Sequence, residues 1–157
     1  METQRLFCTF RLDGHLFGVD LHDVKEVTTE TTCTRIAHAP EEVLGLVNIR
    51  GHVHLALDLR HLMGMSVSNL TRDSRFVLFK PIVGSAFGVV VDEISEIHTA
   101  EQDHIEAFSS KGHEALASKL RRVDLISAIC KLPNELLVVL NPRRFLTVVE
   151  QNFARSV

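Results

Sequence analysis

The 157-residue sequence predicts a mainly β protein made of two small, closed β-barrels with short helices. Apolar residues alternate with polar ones in many short runs, which is the period of strands that bury one face. The pattern of the first half returns in the second half, about seventy positions later. Each half offers about five short strands, and closing them into a barrel leaves no unpaired strand edge.

The first element is a β-hairpin. Alternation predicts a strand over 6–12 and a return strand over 15–20, and Asp13-Gly14 between them is a strong hairpin signal. Val24 and Val27 then fall at helical spacing, so that one helical turn and a short strand both remain open for this segment.

The segment from Leu44 to Gly64 predicts two strands, an arginine turn and a short helix. Arg50-Gly51 joins the strands, because glycine adopts the positive φ of a tight hairpin turn. Asp58 is expected to cap the N-terminus of the helix, and Gly64 is expected to end it. A charged arginine at the tip of an apolar hairpin is either solvated or a contact residue, and composition leaves both open.

The connecting segments are mostly polar. Residues 28–34 show no defined element, whereas residues 39–44 predict a short helix entered through a proline and a glutamate. Residues 66–74 predict a linker between the halves. Residues 99–122 predict an exposed loop with a helical turn over 114–120.

An internal repeat organises the chain. Residues 87–97 align with residues 17–27 without a gap and are identical at four of the eleven positions. A strand, an Asn or Asp cap and a short helix also occur near the end of each half. We therefore predict one domain over 1–157 with sub-barrels at about 13–74 and 75–150, and strand 5–12 can be shared between them.

Composition and charge favour a globular cytoplasmic protein. Apolar residues make up 45% of the chain and charged residues 24%, which argues against disorder. The net charge of −3 disfavours a nucleic-acid or anionic-membrane surface. Three scattered cysteines fit a reduced compartment, and no apolar run approaches the roughly 20 residues that span a bilayer. The N-terminus resembles no signal peptide, so we expect a cytoplasmic location without membrane insertion.

The sequence gives little support to catalysis. His52 and His54 lie two apart on a predicted strand and share a face, but no third ligand stands at standard metal spacing, so we expect solvated histidines. No nucleophile elbow and no glycine-rich phosphate loop occurs. We predict a protein that is not an enzyme and takes no cofactor or metal. A small metal-dependent enzyme using His52 and His54 is an alternative that stoichiometric metal would support.

Apolar strand residues with a few placed charges remain as the candidate site. Val24, Val27 and Val53 could line a groove beside Arg50 that receives a helical partner. Ordinary barrel core explains each of these valines equally well.

Several of these segments resemble the CheW-type chemotaxis coupling proteins, the CheW-like domain family. The similarity covers roughly Phe7 to Leu146, and the G-x-x-N-x-R-G segment after an F-G-hydrophobic segment is its most specific part. The matching segments are Phe17–Val27, Thr34–Pro40, Gly45–Gly51, Leu57–Arg60 and Phe87–Ile94.

The resemblance implies a fold, two partners and a set of contact residues. It implies two tandem small SH3-like β-barrels and an adaptor that joins the cytoplasmic tip of a chemoreceptor (a methyl-accepting chemotaxis protein) to the regulatory domain of a CheA-type histidine kinase. Recruitment to membrane-associated receptor arrays follows from that role. By resemblance, the receptor-binding residues are Val24, Val27, Arg50 and Val53, the kinase-binding residues are Thr34, Arg35 and Ile36, and the structural residues are Gly45, Gly51 and Asp58.

Three features depart from the family pattern. Leu55 stands where many relatives have proline, and His52 and His54 occupy places that are more often apolar or acidic. Residues 109–120 match no motif of the family. These departures leave a scaffold role in a related pathway of gliding or pilus motility open as an alternative.

Overall fold

The computed structural model describes residues 3–66 and 69–156, and these form 11 strands and three α-helices. The strands of the first half are β1 (Gln4–Leu12), β2 (His15–Asp20), β3 (Val24–Thr28), β4 (Val43–Ile49) and β5 (His52–Asp58), followed by helix α1 (Leu59–Leu62). The second half contains β6 (Arg75–Phe79), β7 (Phe87–Val91), β8 (Glu93–Glu101), β9 (Ile105–Ala107), α2 (Glu114–Lys119), β10 (Ile126–Lys131), β11 (Leu136–Leu140) and α3 (Phe145–Ser156). The prediction of a mainly β chain with short helices is confirmed.

The first sheet has six strands in the order β8-β1-β2-β11-β10-β9. The hairpin of β1 and β2 turns at Asp13 and Gly14, whose φ angles of 52° and 79° belong to a two-residue hairpin loop. Strands β2 and β11 pair in parallel, with Phe17 opposite Val138, and the other neighbours are antiparallel.

The second sheet has five strands in the order β3-β6-β7-β5-β4. Strands β5 and β7 pair in parallel, with Leu57 opposite Val89. The segment at Val24 and Val27, left open by the sequence, is strand β3 after a single 3-10 turn at Leu21–Asp23.

The two sheets have the same plan, and each takes strands from both repeats. By the repeat, β2 corresponds to β7 and β3 to β8, and β5 corresponds to β11. The parallel pair of each sheet therefore joins a strand of one repeat to a strand of the other. The second sheet runs from residue 24 to residue 91, so the sheets divide the chain differently from the predicted sub-barrels 13–74 and 75–150. The reason is that parallel neighbours require a long connection, which the neighbouring repeat supplies here.

The main hydrophobic core lies between the two sheets. Its buried members come from both sheets and from helices α1 and α3, and they include Phe10, Phe17, Val19, Leu57, Leu59, Val77, Phe87, Val89, Ile129 and Phe145. Each sheet also holds a smaller apolar cluster on its other face, around Phe7 and Leu137 in the first sheet and around Phe76 and Val47 in the second. A shared core of this kind makes the stability of one sheet depend on the other.

Arg60 of helix α1 joins parts of the chain that are far apart in sequence. Its Nε donates to both carboxylate oxygens of Asp92 at 2.9 and 3.0 Å, and its Nη1 donates to the carbonyl oxygen of Ser66 at 2.6 Å. Its Nη2 reaches Asp13, in the hairpin of the first sheet, at 3.3 Å. The side chain is only 13% exposed, and its hydrogen bonds to the Asp92 carboxylate raise the pKa of Arg60 above its ordinary value.

The predicted helix over residues 39–44 is wrong. The backbone N–H of Val43 donates to the carbonyl oxygen of Pro40 at 3.0 Å, which closes one turn, and strand β4 begins at Val43. Val43 is paired with Leu57 of strand β5, so pairing along the sheet overrides the helix-starting residues. The predicted helix after Asp58 and the helical turn near residue 114 are both confirmed. Val67 and Ser68 of the predicted linker lie outside the described residues.

Among the helices described here, none has the length and apolar character needed to cross a membrane.

Candidate interaction surface around Arg50

Arg50 sits at the tip of a rigid hairpin in a conformation that arginine rarely adopts. Strand β4 ends at Ile49 and β5 begins at His52, so that Arg50 and Gly51 alone form the loop, with φ angles of 51° and 84°. Two consecutive positive φ angles define a type I′ turn, which favours Asn-Gly because both residues accept the left-handed region. The side chain of Asn48 holds the turn by accepting the N–H of Gly51 at 2.9 Å.

The guanidinium of Arg50 is paired with Glu26 across the edges of the second sheet. Nη1 lies 3.1 Å from both carboxylate oxygens of Glu26, and Nη2 contacts Oε2 as well. Glu26 belongs to β3 at one edge of the sheet and Arg50 follows β4 at the other, so this ion pair links the hairpin tip to the strand at the opposite edge. The Arg50 side chain remains 65% exposed, which leaves it accessible to a partner.

The three predicted groove valines lie on one face of the second sheet, but they belong to two strands that are not paired with each other. Val24 and Val27 are paired with Phe79 and Val77, and Val53 lies two residues before Leu55, the partner of Phe87. Phe79, Val77 and Phe87 belong to the inter-sheet core. The three groove valines therefore face the inter-sheet side of the second sheet. Val24 packs against the core, whereas Val27 is 39% and Val53 54% exposed.

The first sheet contributes apolar residues that the sequence interpretation missed. Ile94 and Ile97 of β8 are paired with Phe10 and Cys8, members of the inter-sheet core, yet they are 37% and 59% exposed. They are the repeat counterparts of Val24 and Val27, seventy positions later. The internal repeat was therefore the signal that could have found them, because it aligns them with Val24 and Val27.

A shallow depression of about 410 Å³ opens beside Arg50, and a second one of about 300 Å³ continues it. Lys25, His52 and His54 line both. Glu26, Ile49 and Arg50 complete the first, and Val53, Phe79, Pro81, Ser85 and Ala86 complete the second. Lys25 of β3 thus shares a wall with Val53 of β5, although two strands separate β3 from β5 in the sheet.

His54 corrects the expectation of two solvated histidines. His52 is exposed, but His54 is only 8% exposed, and its Nδ1 lies 3.1 Å from the carbonyl oxygen of His52. Because strand residues two apart share a face, both rings still line the depression. In the part of the chain that the structure describes, no three His, Cys, Asp or Glu side chains form a group that could hold a metal ion.

The second predicted surface lies along the edge strand β4. Thr34 forms two backbone hydrogen bonds of 2.8 Å with Leu46, which extends the sheet by one short bridge. Gly45 has a φ of 143°, and a Cβ added there would overlap the carbonyl oxygen of Thr34. The expectation that this backbone needs glycine has its physical basis in this close approach.

Arg35 and Ile36 line a depression of about 400 Å³ beside that bridge. Its other walls include Pro40, Glu41, Asp58 and His61. Asp58 caps helix α1, as predicted, by accepting the N–H of His61, and burial raises the pKa of the Asp58 carboxyl. Asp58 therefore lines the same depression as the predicted kinase-binding residues Arg35 and Ile36.

Known proteins resemble this chain over most of its length. The model of the CheW-like domain family matches residues 6–150. A probable chemotaxis protein CheW of Rhizobium etli is 28% identical over 105 residues, which is 67% of each chain. The chemotaxis protein CheW of Klebsiella aerogenes is 31% identical over 99 residues, 61% of this chain and 58% of that protein.

A solved structure confirms the fold. The scaffolding protein TtCheW from Thermoanaerobacter tengcongensis superposes with a TM-score of 0.75 at 24% identity, covering 87% of this chain and 88% of that one. The predicted fold class is therefore confirmed, and so is the prediction that the protein is not an enzyme. With its family match over nearly the whole sequence, the chain belongs to the CheW-like domain family of non-catalytic chemotaxis adaptors.

Proposed function

We propose that this protein couples chemoreceptors to a CheA-type histidine kinase through two separate surfaces. The receptor surface comprises Val24, Val27, Arg50 and Val53. The kinase surface comprises Thr34, Arg35 and Ile36. We place the protein in the cytoplasm, where it joins membrane-associated receptor arrays. The observation that carries the proposal is the conformation of Arg50, an exposed arginine held at φ 51°, where glycine would fit without strain.

Local energetics support a contact role for Arg50. A residue other than glycine in the left-handed region costs of order 1 kcal/mol, and the exposed pair with Glu26 returns only about 0.2–1 kcal/mol. Arginine therefore gives this turn little stability of its own. Arginine is also enriched among the residues that dominate protein interfaces, because its planar guanidinium makes several hydrogen bonds at once.

The exposed apolar residues beside Arg50 support a helical partner. Val27 and Val53 on one sheet and Ile94 and Ile97 on the other face the same inter-sheet side, and all four are exposed. Exposed apolar side chains on this side of the two sheets suit the apolar stripe of a helix. The receptor tip, a helical hairpin by family resemblance, has that shape.

The kinase surface rests on backbone geometry. The bridge between Thr34 and Leu46 fixes the backbone next to an open depression, and Leu46 itself is 37% exposed. A short, partly exposed edge segment with Arg35 and Ile36 beside it offers both backbone groups and side chains to a second β-rich domain.

The deciding experiment is a pair of calorimetric titrations, one against the regulatory domain of the kinase and one against a cytoplasmic receptor fragment from the same cell. Arg50→Ala is expected to weaken receptor binding by about tenfold or more and to leave kinase binding unchanged. Arg72→Ala, an exposed arginine in the connection before β6, is the matched control.

Either of two results would remove part of the proposal. If Arg50→Ala binds the receptor fragment as the unaltered protein does, Arg50 is not in the receptor surface. If the unaltered protein binds neither fragment at tens of micromolar, the coupling role itself is wrong for this chain.

A further inference from the structure

Basic side chains line the depression beside Arg50, and the family resemblance assigns no role to them as a group. The whole chain carries a net charge of −3, yet Lys25, Arg50, His52 and His54 all line this depression. Glu26 is the one acidic side chain among its lining residues, and its carboxylate is occupied by Arg50.

Lys25 and His52 are open for a partner. Both side chains are exposed, and across residues 3–66 and 69–156 no ion pair of either one is found. A β-bulge in the pairing of β3 with β6 falls between Val24 and Glu26, at the position of Lys25. Bulges redirect a side chain at a strand edge, and this one points Lys25 into the depression that it shares with His52.

His54 is buried within the same wall. Its Nδ1 lies 3.1 Å from the carbonyl oxygen of His52, and since a carbonyl oxygen only accepts, Nδ1 carries the hydrogen. The charged groups around this ring are Lys25, Glu26 and Arg50.

We infer that Lys25 and His52, supported by His54, bind carboxylates of the receptor segment and so select an acidic receptor tip. The inference rests on the proposed function, because it names the chemistry of the partner at the same surface. Charge complementarity supports it: the chain as a whole carries a net charge of −3, whereas the basic Lys25 and Arg50 outnumber the acidic Glu26 in this depression. Charges at the rim of an interface act mainly on the association rate and on salt dependence.

The test is the titration of the receptor fragment with charge-reversal variants at two salt concentrations. Lys25→Glu and His52→Glu are each expected to weaken binding about tenfold at roughly 50 mM salt, and the loss should shrink to about twofold near 0.5 M salt because of screening. Lys111→Glu, an exposed lysine in the loop before helix α2, changes the net charge by as much as Lys25→Glu does and should leave binding unaltered.

A receptor fragment whose acidic residues are replaced by their amides supplies the complementary arm. This fragment should bind the unaltered protein more weakly and should bind Lys25→Glu no worse than it binds the unaltered protein. Circular dichroism of each variant checks that the fold is retained.

The outcomes separate the two proposals. If the receptor fragment binds but Lys25→Glu, His52→Glu and Lys111→Glu all leave its affinity unaltered, the carboxylate inference is overturned and the receptor role stands. If Lys25→Glu weakens binding of the kinase domain instead, the depression belongs to the kinase and the inference is overturned. If the receptor fragment does not bind the unaltered protein at all, both proposals fail.

Discussion

Arg50 combines an unfavourable backbone conformation with an exposed, partly paired side chain. Its turn needs two positive φ angles, and Gly51 meets this requirement without cost, with no heavy atom within 4 Å of an added Cβ. Arg50 meets it only with strain. The proposed receptor contact is an explanation for an arginine at this strained position.

Replacement of Arg50 by two smaller residues separates strain from contact. Arg50→Asn and Arg50→Ala both remove the pair with Glu26, but asparagine tolerates the left-handed region better than alanine. We expect the asparagine variant to be more stable than the alanine variant by about 0.5–1 kcal/mol in urea denaturation. Receptor affinity should fall equally in both. An asparagine variant that binds normally would show that the turn, and not the guanidinium, is recognised.

Asp58 predicts a pH dependence whose sign follows from its burial. Burial raises the pKa of this carboxyl in the folded state, although the hydrogen bond from His61 opposes the shift. The folded state thus binds the proton more tightly than the unfolded chain. Protonation stabilises the fold fully below the unfolded pKa, and this contribution is lost as the pH rises through the folded pKa.

Asp58→Asn keeps an oxygen that can cap helix α1 and removes the titration. We expect the free energy of unfolding of this variant to exceed that of the unaltered protein at neutral pH and the difference to shrink on acidification. Urea denaturation at about pH 7, 5 and 4 measures it, and groups that titrate in both proteins cancel. A difference that is constant with pH would mean that the carboxyl is not shifted.

At the scale of elements, the pairing of the Thr34 backbone with strand β4 depends on Gly45. Gly45 lets the Thr34 backbone approach closely enough for its two hydrogen bonds to Leu46. Gly45→Ala would force these strands apart, since its Cβ meets backbone atoms that cannot rotate away. We expect a loss of about 2–4 kcal/mol in stability and weaker kinase binding.

Gly51→Ala is the control for that substitution. It has a positive φ but open space around an added Cβ, so it carries the conformational cost alone, about 1 kcal/mol. Kinase binding by Gly51→Ala should stay unaltered. If both variants lose the same stability, the approach of Thr34 to Gly45 is not what requires glycine.

Local signals in the sequence were sufficient where a turn or a cap fixes an element by itself. Asp13-Gly14 and Arg50-Gly51 each located a hairpin, and Asp58 located the start of a helix. They failed for residues 39–44, where pairing of Val43 with Leu57 in strand β5 decides the conformation. The local sequence pattern does not show with which distant strand a segment pairs.

The candidate site was predictable only in part for the same reason. The family motif indicated Arg50, but its partner Glu26 lies on a strand at the opposite edge of the sheet. The burial of His54 depends on the curvature of that sheet, and the alternation of polar and apolar residues does not predict this curvature. Ile94 and Ile97 could have been predicted from the internal repeat.

For the whole molecule, the exchange of strands between repeats predicts how the chain can be divided. A fragment of residues 13–74 lacks β6 and β7, the neighbours of β3 and β5, and should be unfolded. A fragment of residues 24–91, of nearly equal length, holds all five strands of the second sheet and should show more strand signal.

The intact chain should unfold in one cooperative transition, because the two sheets share the main core. The sequence has no Trp or Tyr, so circular dichroism and calorimetry are the suitable probes. Two separate transitions in the intact chain, or a well-folded 13–74 fragment, would contradict the exchange of strands as the basis of cooperativity.

The parallel pairing of β2 with β11 also bears on how the protein is made. Phe17 leaves the ribosome about 120 residues before Val138, its neighbour in the sheet. At a synthesis rate of about 5–20 residues per second, the β1–β2 hairpin waits roughly 6–24 s for that neighbour. During this interval the apolar side chains of the hairpin lack the strand that covers them in the folded protein.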